Sequence, residues 1–499
     1  MIAGVRQKMG CVKDCFARAA INVTVSGARR LPAFRDGVLN RLSATLGRSY
    51  QENVPDPQLL AFHLWFGRKL RPFLCRLLEE RPRAARKLIH LAYVWANDVK
   101  RRSHLSAPGI VTPVTFVIEP TGRCNLRCPQ CYANSTPEGS DLPYEVWKRA
   151  VAEAREMGVT LVTLTGGEPF LREAKDRIIS RLAADFPNMG FLVYTNATMI
   201  DEDAAARLEE VGNVFPGISV EGYERETDGR RGDGYTRKAT RVREILAKHE
   251  VLYGFSATVT RRNADLLSAD EFIARRLEEG DMFGWYFLLQ PIGRSPDASM
   301  LVMPEQRAKL RDQVYKWRDE GKPIFLGDFW NDGCLVGGCI AGGRYYFHIY
   351  ANGDISPCVF APIACGNVLD VFNGKSEYRS LADFVNRHPF FAKFREKQQE
   401  VTDYRAPCLL MDHPEKLREI CAQAPWYPAN NMPEGYLDGG IARALDSCSK
   451  DWEEALRGMP LVPERVQRDI AAARTPKTWR DRLLHLRRPG SGPRRTEAA

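Results

Sequence analysis

Two hydrophobic rhythms alternate between residues 114 and 293. Short apolar runs rich in Val, Leu, Phe and Tyr read as buried strands: VTFVIEP (114–120), VTLVTLTGGEP (159–169), FLVYTNAT (191–198), VFPGISVEG (214–222), LYGFSATVT (252–260) and FGWYFLLQPIG (283–293). Between them, residues 144–158, 173–186, 201–211, 236–250 and 270–280 space their apolar positions three and four apart, which predicts amphipathic helices. Buried strands separated by helices imply a parallel sheet, because a crossover helix is what returns the chain to start the next parallel strand. The pattern predicts six strand–helix units, doubly wound or arranged as a barrel.

The flanks differ. Asp56-Pro57 reads as an N-cap with proline at the first helical position. LLAFHLWFGRKLRPFLCRLLEE (59–80) follows, interrupted at Gly67 and Pro72. A second helix after Pro82 carries a stripe of Leu88, Ile89, Ala92, Trp95, Ala96 and Val99, and the linker HLSAPGIVTP closes the region. Beyond Arg294 a helix is predicted over 304–320, then a hairpin in which RYYFHIY and ISPCVF flank a turn at Ala351–Asp354. The tail from about residue 472 is basic and rich in Pro, Gly and Arg, a composition expected to be partly disordered.

Composition narrows the class. The 499 residues are 44% hydrophobic and 27% charged, an ordinary globular balance. Neither a signal-peptide layout nor an 18-residue apolar run stands out, so a cytoplasmic location is expected. In that reducing setting, clustered cysteines among the 13 read as metal or redox sites rather than disulfides. The net charge of +10 is uneven: residues 1–110 carry +13, residues 471–499 carry +6 and the centre −9. Basic ends suit an anionic membrane surface, giving an expectation of peripheral association, or they form a solvated face. No base-reading motif accompanies them, so nucleic acid is not an expected partner.

TGRCNLRCPQC (121–131) places Cys124, Cys128 and Cys131 at i, i+4 and i+7. On a helix they would share a face, but Pro129 argues for a loop, since a mid-helix proline lacks the donor and clashes with the preceding turn. Three thiols leave a structural zinc site one ligand short. A four-iron cluster held by three cysteines keeps one iron open to a ligand that is not protein.

These residues resemble the radical S-adenosylmethionine (radical SAM) superfamily. CNLRCPQC matches its C-x3-C-x2-C loop, Thr165-Gly166-Gly167-Glu168-Pro169 its GGE motif, and TNAT, with Asn196, its third-strand ending. ISVEG, with Ser219 and Glu221, and GFSATVTRRN resemble the fourth and fifth strands, so residues 112–295 are covered. Two positions depart: Gln130 stands where an aromatic or His usually precedes the third cysteine, and Glu221 replaces the usual Asp. The resemblance implies that Cys124, Cys128 and Cys131 hold a [4Fe–4S] cluster whose open iron is chelated by S-adenosylmethionine. It also implies cofactor contacts from Gly166, Gly167, Glu168, Asn196, Ser219 and Glu221. All these motifs end strands, and in barrels those ends share the active-site face.

A second set, Cys334, Cys339, Cys358 and Cys408, follows the barrel. Gly353-x4-Cys358 resembles the hairpin of the SPASM/twitch auxiliary domains, which implies one auxiliary [4Fe–4S] cluster on those four, with Cys365 and Cys421 as reserves. Zinc and unliganded thiols are the alternatives. Cys11, Cys15, Cys75 and Cys448 read as ordinary thiols.

The expected architecture is α/β, a partial (β/α)6 TIM-type barrel with an N-terminal helical region and a small C-terminal hairpin-plus-helix iron–sulfur domain. Expected boundaries are 1–110, 111–300, 301–430 and 431–499. The expected activity is reductive cleavage of S-adenosylmethionine, fed by a low-potential donor such as flavodoxin or ferredoxin, to give a 5′-deoxyadenosyl radical that abstracts hydrogen. The organic substrate is unidentified; relatives with auxiliary domains favour a peptide or protein, and the basic, aromatic ends favour a lipid or membrane-bound one. A non-enzymatic iron–sulfur electron carrier is the alternative from another class. Residues 1–110 are read as a helical cap on the barrel, against a membrane-interface reading.

Overall fold

The apolar runs do form strands, and each pairs with the next in chain order. The computed structural model describes residues 57–105 and 110–473, with Gly37, Leu39 and Asn40. Strands β1 (Thr115–Thr121), β2 (Leu161–Gly166), β3 (Gly190–Thr195), β4 (Val214–Val220), β5 (Gly254–Val259) and β6 (Phe283–Leu288) are all parallel. A further parallel strand, β7 (Phe325–Asp328), joins β6 after the helix Pro304–Asp319. The parallel sheet therefore continues past residue 300.

Strand alternation sorts the side chains. Phe116, Ile118, Val162, Leu164, Phe191, Val193 and Phe255 point outward and are buried with helix residues such as Trp147, Leu182, Leu246 and Phe272. Each such side chain contributes about 1.5–3 kcal/mol of burial. The opposite face, including Thr163, Tyr194, Ser219, Ser256, Trp285 and Phe287, encloses a cavity.

The expected helix 173–186 is two helices, Pro169–Asp176 and Ile178–Asp185. Arg177 breaks it in the left-handed region (φ 58°). The Glu173 carboxylate accepts from the backbone N–H groups of Ile179 and Ser180, which satisfies the second helix's start.

The C-terminal hairpin adds to the same sheet. β8 (His348–Ile349) lies parallel to β1, β9 (Asp354–Ser356) returns antiparallel, and β11 (Gly366–Asn367) pairs β9. β10 (Ile363–Ala364) pairs instead with β12 (Tyr427–Pro428). Rings from the two ends of the sheet meet across the barrel's open side. The Phe360 ring centroid lies 5.9 Å from that of Phe287 and 5.6 Å from that of Phe329, while Phe329 lies 6.3 Å from Tyr346.

Helices α1 (Pro57–Lys69), α2 (Arg71–Glu80) and α3 (Pro82–Leu105) cap the barrel. Phe73, Leu77, Leu78, Ala84, Ala85 and Ile89 pack with Leu192, Phe215, Leu252, Met282 and Phe283, residues at or near strand beginnings. Trp65 is fully buried with Tyr315, Val462 and Val466. Trp65 and Phe73 of this basic, apolar stretch are thus buried inside the protein. Cys11, Cys15 and the basic segment 479–488 lie outside the described residues.

Arginines fasten the cap. Arg76 donates to the carbonyls of Asp281 (2.9 Å) and Leu277 (3.0 Å). Arg81 is buried, donates to Val251 and Gly280 at 2.7 Å each, and stacks 4.0 Å over Tyr253. Hydrogen bonds from a charged donor are each worth about 1.5–3 kcal/mol. Arg81→Met keeps the stem but leaves two carbonyls without their donor, so it should lower unfolding stability by about 2–5 kcal/mol, read as a shift of the denaturant midpoint.

Candidate active site

The cysteine segment leaves β1 as a loop, as Pro129 requires. Its start is tied down by backbone bonds from Gly122 N–H to the Ser140 carbonyl (2.8 Å) and from Cys124 N–H to the Thr136 carbonyl (3.0 Å). Cys124, Cys128 and Cys131 all line one cavity of ≈ 270 Å³ inside the barrel. Burial, with Glu168, Cys131 and Cys128 nearby, pushes the Cys124 thiol up to about 12.

The turn after β2 interlocks with this loop. Gly167 N–H donates to Thr121 O (2.9 Å) and Glu168 N–H to Arg123 O (2.8 Å). A Cβ on Gly167 would sit 1.9 Å from the Arg123 carbonyl oxygen, and one on Gly166 (φ 94°) 2.6 Å from Glu119 Cβ. Their need to be glycine is thus met by the cysteine loop and β1. Tyr132 adds a pin: its hydroxyl is 2.5 Å from Thr165 Oγ1 and accepts from Gly166 N–H (3.2 Å).

Glu168 is buried and nearly saturated. Its carboxylate accepts from Thr195 Oγ1 (2.6 Å), Phe170 N–H (3.0 Å) and Asn196 N–H (2.6 Å). A carboxylate has about four acceptor positions, so about one is left for a ligand. Burial raises its pKa, and these donors together with Arg231 pull it back. Asn196 lines the cavity but spends its side chain on the loop: Nδ2 donates to Asn125 Oδ1 (2.9 Å) and Oδ1 accepts from Thr198. Ser219 lines the cavity and donates to the Thr195 carbonyl (3.1 Å).

Glu221 differs from its expected cofactor contact. It is buried, is not among the cavity-lining residues, and is bound by Arg230 (2.8 Å) and Arg231 (2.5 Å). The two arginines line the cavity instead. Arg230 also donates to the carbonyls of Pro129 (3.3 Å) and Gln130 (3.1 Å), bracing the loop between two cysteines. Burial works against the Arg231 charge, but the Glu221 carboxylate overrides it and raises its pKa. Sequence reading missed both arginines, and the RR pair nine and ten residues beyond Glu221 was the available signal.

The second cysteine group is a trio. Cys339, Cys358 and Cys408 line a separate cavity of ≈ 40 Å³. Phe329, Ile340, Tyr346 and Phe360 border both cavities. Burial pushes the Cys358 thiol up to about 12, with Cys339 nearby. Cys334, expected as the fourth member, does not line this cavity. It sits in the short helix Gly333–Val336, packs with Trp65, Tyr315 and Val462, and donates to the Leu461 carbonyl at 3.6 Å. Cys365 lies electrostatically close to Cys421 instead. Among the described residues, no three His, Cys, Asp or Glu side chains are close enough to hold a single metal ion. A zinc ion draws its thiolates to about 2.3 Å, whereas the irons of a cubane spread them over separate corners. The buried Tyr436 hydroxyl, within electrostatic reach of Cys408 and Cys358, has no hydrogen-bond partner among the described residues. It is a donor suited to an acceptor-rich group.

Residues 118–255 match the family model described as the radical SAM superfamily. An uncharacterised protein of Archaeoglobus fulgidus is 30% identical over 71% of this chain and 83% of its own. An AdoMet-dependent heme synthase of Oleidesulfovibrio alaskensis is 27% identical over 56% of this chain and 76% of its own. A PqqA peptide cyclase of Bradyrhizobium diazoefficiens is 26% identical over 59% and 78%. The chain belongs to the radical SAM superfamily. It is a radical SAM enzyme, and its cofactors are a [4Fe–4S] cluster and S-adenosylmethionine. No helix of the described residues is long and apolar enough to cross a membrane.

The interlock generates a prediction independent of catalysis. Gly167→Ala forces the Arg123 carbonyl aside, an overpacking cost of about 1–3 kcal/mol. The metal-free protein should melt earlier, and reconstitution should incorporate about four fewer irons, measured by thermal denaturation and iron assay.

Proposed function

We propose that Cys124, Cys128 and Cys131 hold the catalytic [4Fe–4S] cluster and that the barrel interior receives an uncharged side chain of a peptide or protein substrate. The carrying observation is one cavity that holds all three thiols together with Gly166, Gly167, Glu168, Asn196 and Ser219. Three thiols fit a cluster with one open corner. When bound, the cluster and S-adenosylmethionine supply a 5′-deoxyadenosyl radical competent to take a hydrogen atom from the substrate.

The chain's own residues position and insulate this chemistry. Arg230 and Tyr132 hold the cysteine loop on the strand ends. Glu168 keeps about one acceptor position for the ammonium of S-adenosylmethionine. The rest of the wall is neutral: Val117, Leu126, Leu192, Tyr194, Trp285, Phe287, with Thr163, Ser256 and Thr258 hydroxyls. The ionisable lining residues apart from thiols and phenols are Glu168, Arg230 and Arg231, and all three already have protein partners. An unpaired charge entering this interior would lose its hydration without compensation. An apolar or aromatic group carries no such cost.

Cys339, Cys358 and Cys408 are read as ligands of one auxiliary [4Fe–4S] cluster, with Cys334 as a packing residue. Similarity to a peptide cyclase supports a peptide substrate. Boundaries at 1–110, about 111–328 for the barrel and the remainder for the auxiliary region and extension follow from this reading.

Anaerobic reconstitution tests it. The wild type should bind about eight irons and release 5′-deoxyadenosine on reduction with S-adenosylmethionine. The triple variant Cys124→Ala, Cys128→Ala, Cys131→Ala should keep about four and release none. Cys339→Ala, Cys358→Ala and Cys408→Ala combined should also keep about four, and Cys334→Ser should keep all. Release of 5′-deoxyadenosine by the first triple variant would refute the assignment.

A further inference from the structure

We propose that Tyr346 is a positioning residue that joins the barrel cavity to the auxiliary site and sets the reduction potential of the auxiliary cluster through a hydrogen bond to Cys358. The inference rests on reading Cys339, Cys358 and Cys408 as ligands of that cluster.

Tyr346 is 2% exposed, and its hydroxyl oxygen lies 2.9 Å from Cys358 Sγ. The contact is short for a sulfur acceptor and unlike the neighbouring Tyr350, whose hydroxyl donates to the Ala361 carbonyl at 2.8 Å. A cysteine that ligates iron is a thiolate with no proton of its own, so the phenol O–H is the donor and the sulfur accepts. Cys358 Sγ accepts a second, longer bond from Phe360 N–H at 3.4 Å.

The ring has a second role. Tyr346 borders both cavities, alongside Phe329, Ile340 and Phe360. A substrate group seated against this wall touches the residue whose hydroxyl meets a cluster ligand. The burial that places the phenol there carries its own cost unless the hydroxyl is bonded. A phenol at the boundary of two cavities, satisfied by a thiol on the far side, is costly packing for a wall that Phe329 and Phe360 build from apolar rings alone.

A hydrogen bond to a ligating sulfur favours the more negatively charged, reduced cluster, because a donor proton interacts more strongly as charge on the sulfur grows. Its removal therefore makes reduction harder. In Tyr346→Phe holoenzyme the potential of the auxiliary cluster should fall, with the reduction equilibrium weakened about tenfold, which is 59 mV for a one-electron couple. The catalytic cluster's potential should stay unchanged. Tyr350→Phe removes a buried phenol of the same module that does not touch a cysteine, and should leave both potentials unchanged.

Electron paramagnetic resonance titration of wild-type, Tyr346→Phe and Tyr350→Phe holoenzymes reads this out, with iron content measured on each. Equal auxiliary potentials in wild type and Tyr346→Phe overturn the proposal, as does an equal fall in Tyr350→Phe. A second measurement needs no variant. After exchange into D2O, electron–nuclear double resonance on the reduced wild-type auxiliary cluster should detect a deuteron coupled more strongly than those of the Phe360 and Leu410 amides, whose nitrogens lie 3.4 Å from ligating sulfurs against 2.9 Å for the phenol oxygen, and its absence overturns the proposal even if Tyr346→Phe does not fold. A wild type holding only about four irons, all lost with Cys124, Cys128 and Cys131, marks failure of the auxiliary-cluster reading itself. Eight irons with unshifted potentials mark failure of the Tyr346 inference alone.

Discussion

The close crossing of two backbones governs the site. The loop leaving β1 and the turn leaving β2 pass so near each other that only hydrogen stands between Gly167 Cα and the Arg123 carbonyl. Two backbone bonds, from Gly167 to Thr121 and from Glu168 to Arg123, hold the crossing shut. Everything near it inherits its position. Cys124 follows Arg123 directly, Glu168 follows Gly167 directly, and Glu168 in turn holds Asn196 at the end of β3. Two main-chain bonds and one carboxylate bond thus set three strand ends in register before any cofactor is considered.

The auxiliary region is less separate than its distance in sequence suggests. β8 continues the sheet beyond β1, so the cysteine hairpin and the barrel share one hydrogen-bonded framework. Phe287, Phe329 and Phe360 then bridge the far side. Because the two cysteine groups hang from one sheet, their separation is set by rigid elements rather than by a linker.

Much of this was legible beforehand, and the failures have physical causes. Six strands were readable because apolar runs alternate with helical stripes, and Pro129 correctly argued for a loop. β7 was missed because FLGD is only four residues long and carries Gly and Asp, which lack strand propensity. The break at Arg177 was invisible because it depends on the Glu173 carboxylate accepting from the following turn. Cys334 was grouped with Cys339 by spacing and by resemblance to the auxiliary domains, but a short helix places it with Trp65. Spacing reports neighbours in sequence and says little about direction. Glu221 was assigned by motif, yet two arginines nine and ten residues away consume its oxygens.

The helical cap has a consequence for biosynthesis. Helices α1 to α3 precede their partners by a long stretch of chain: Arg76 bonds residues 205 and 201 positions further on, and Trp65 packs against Val466. Closing such long loops is slow, because entropy is lost before contacts repay it. An emerging chain must therefore carry an unsatisfied apolar face until the sixth strand has been made. The segment that seals the barrel's base is made before the strands it covers, so its housing waits on the sheet.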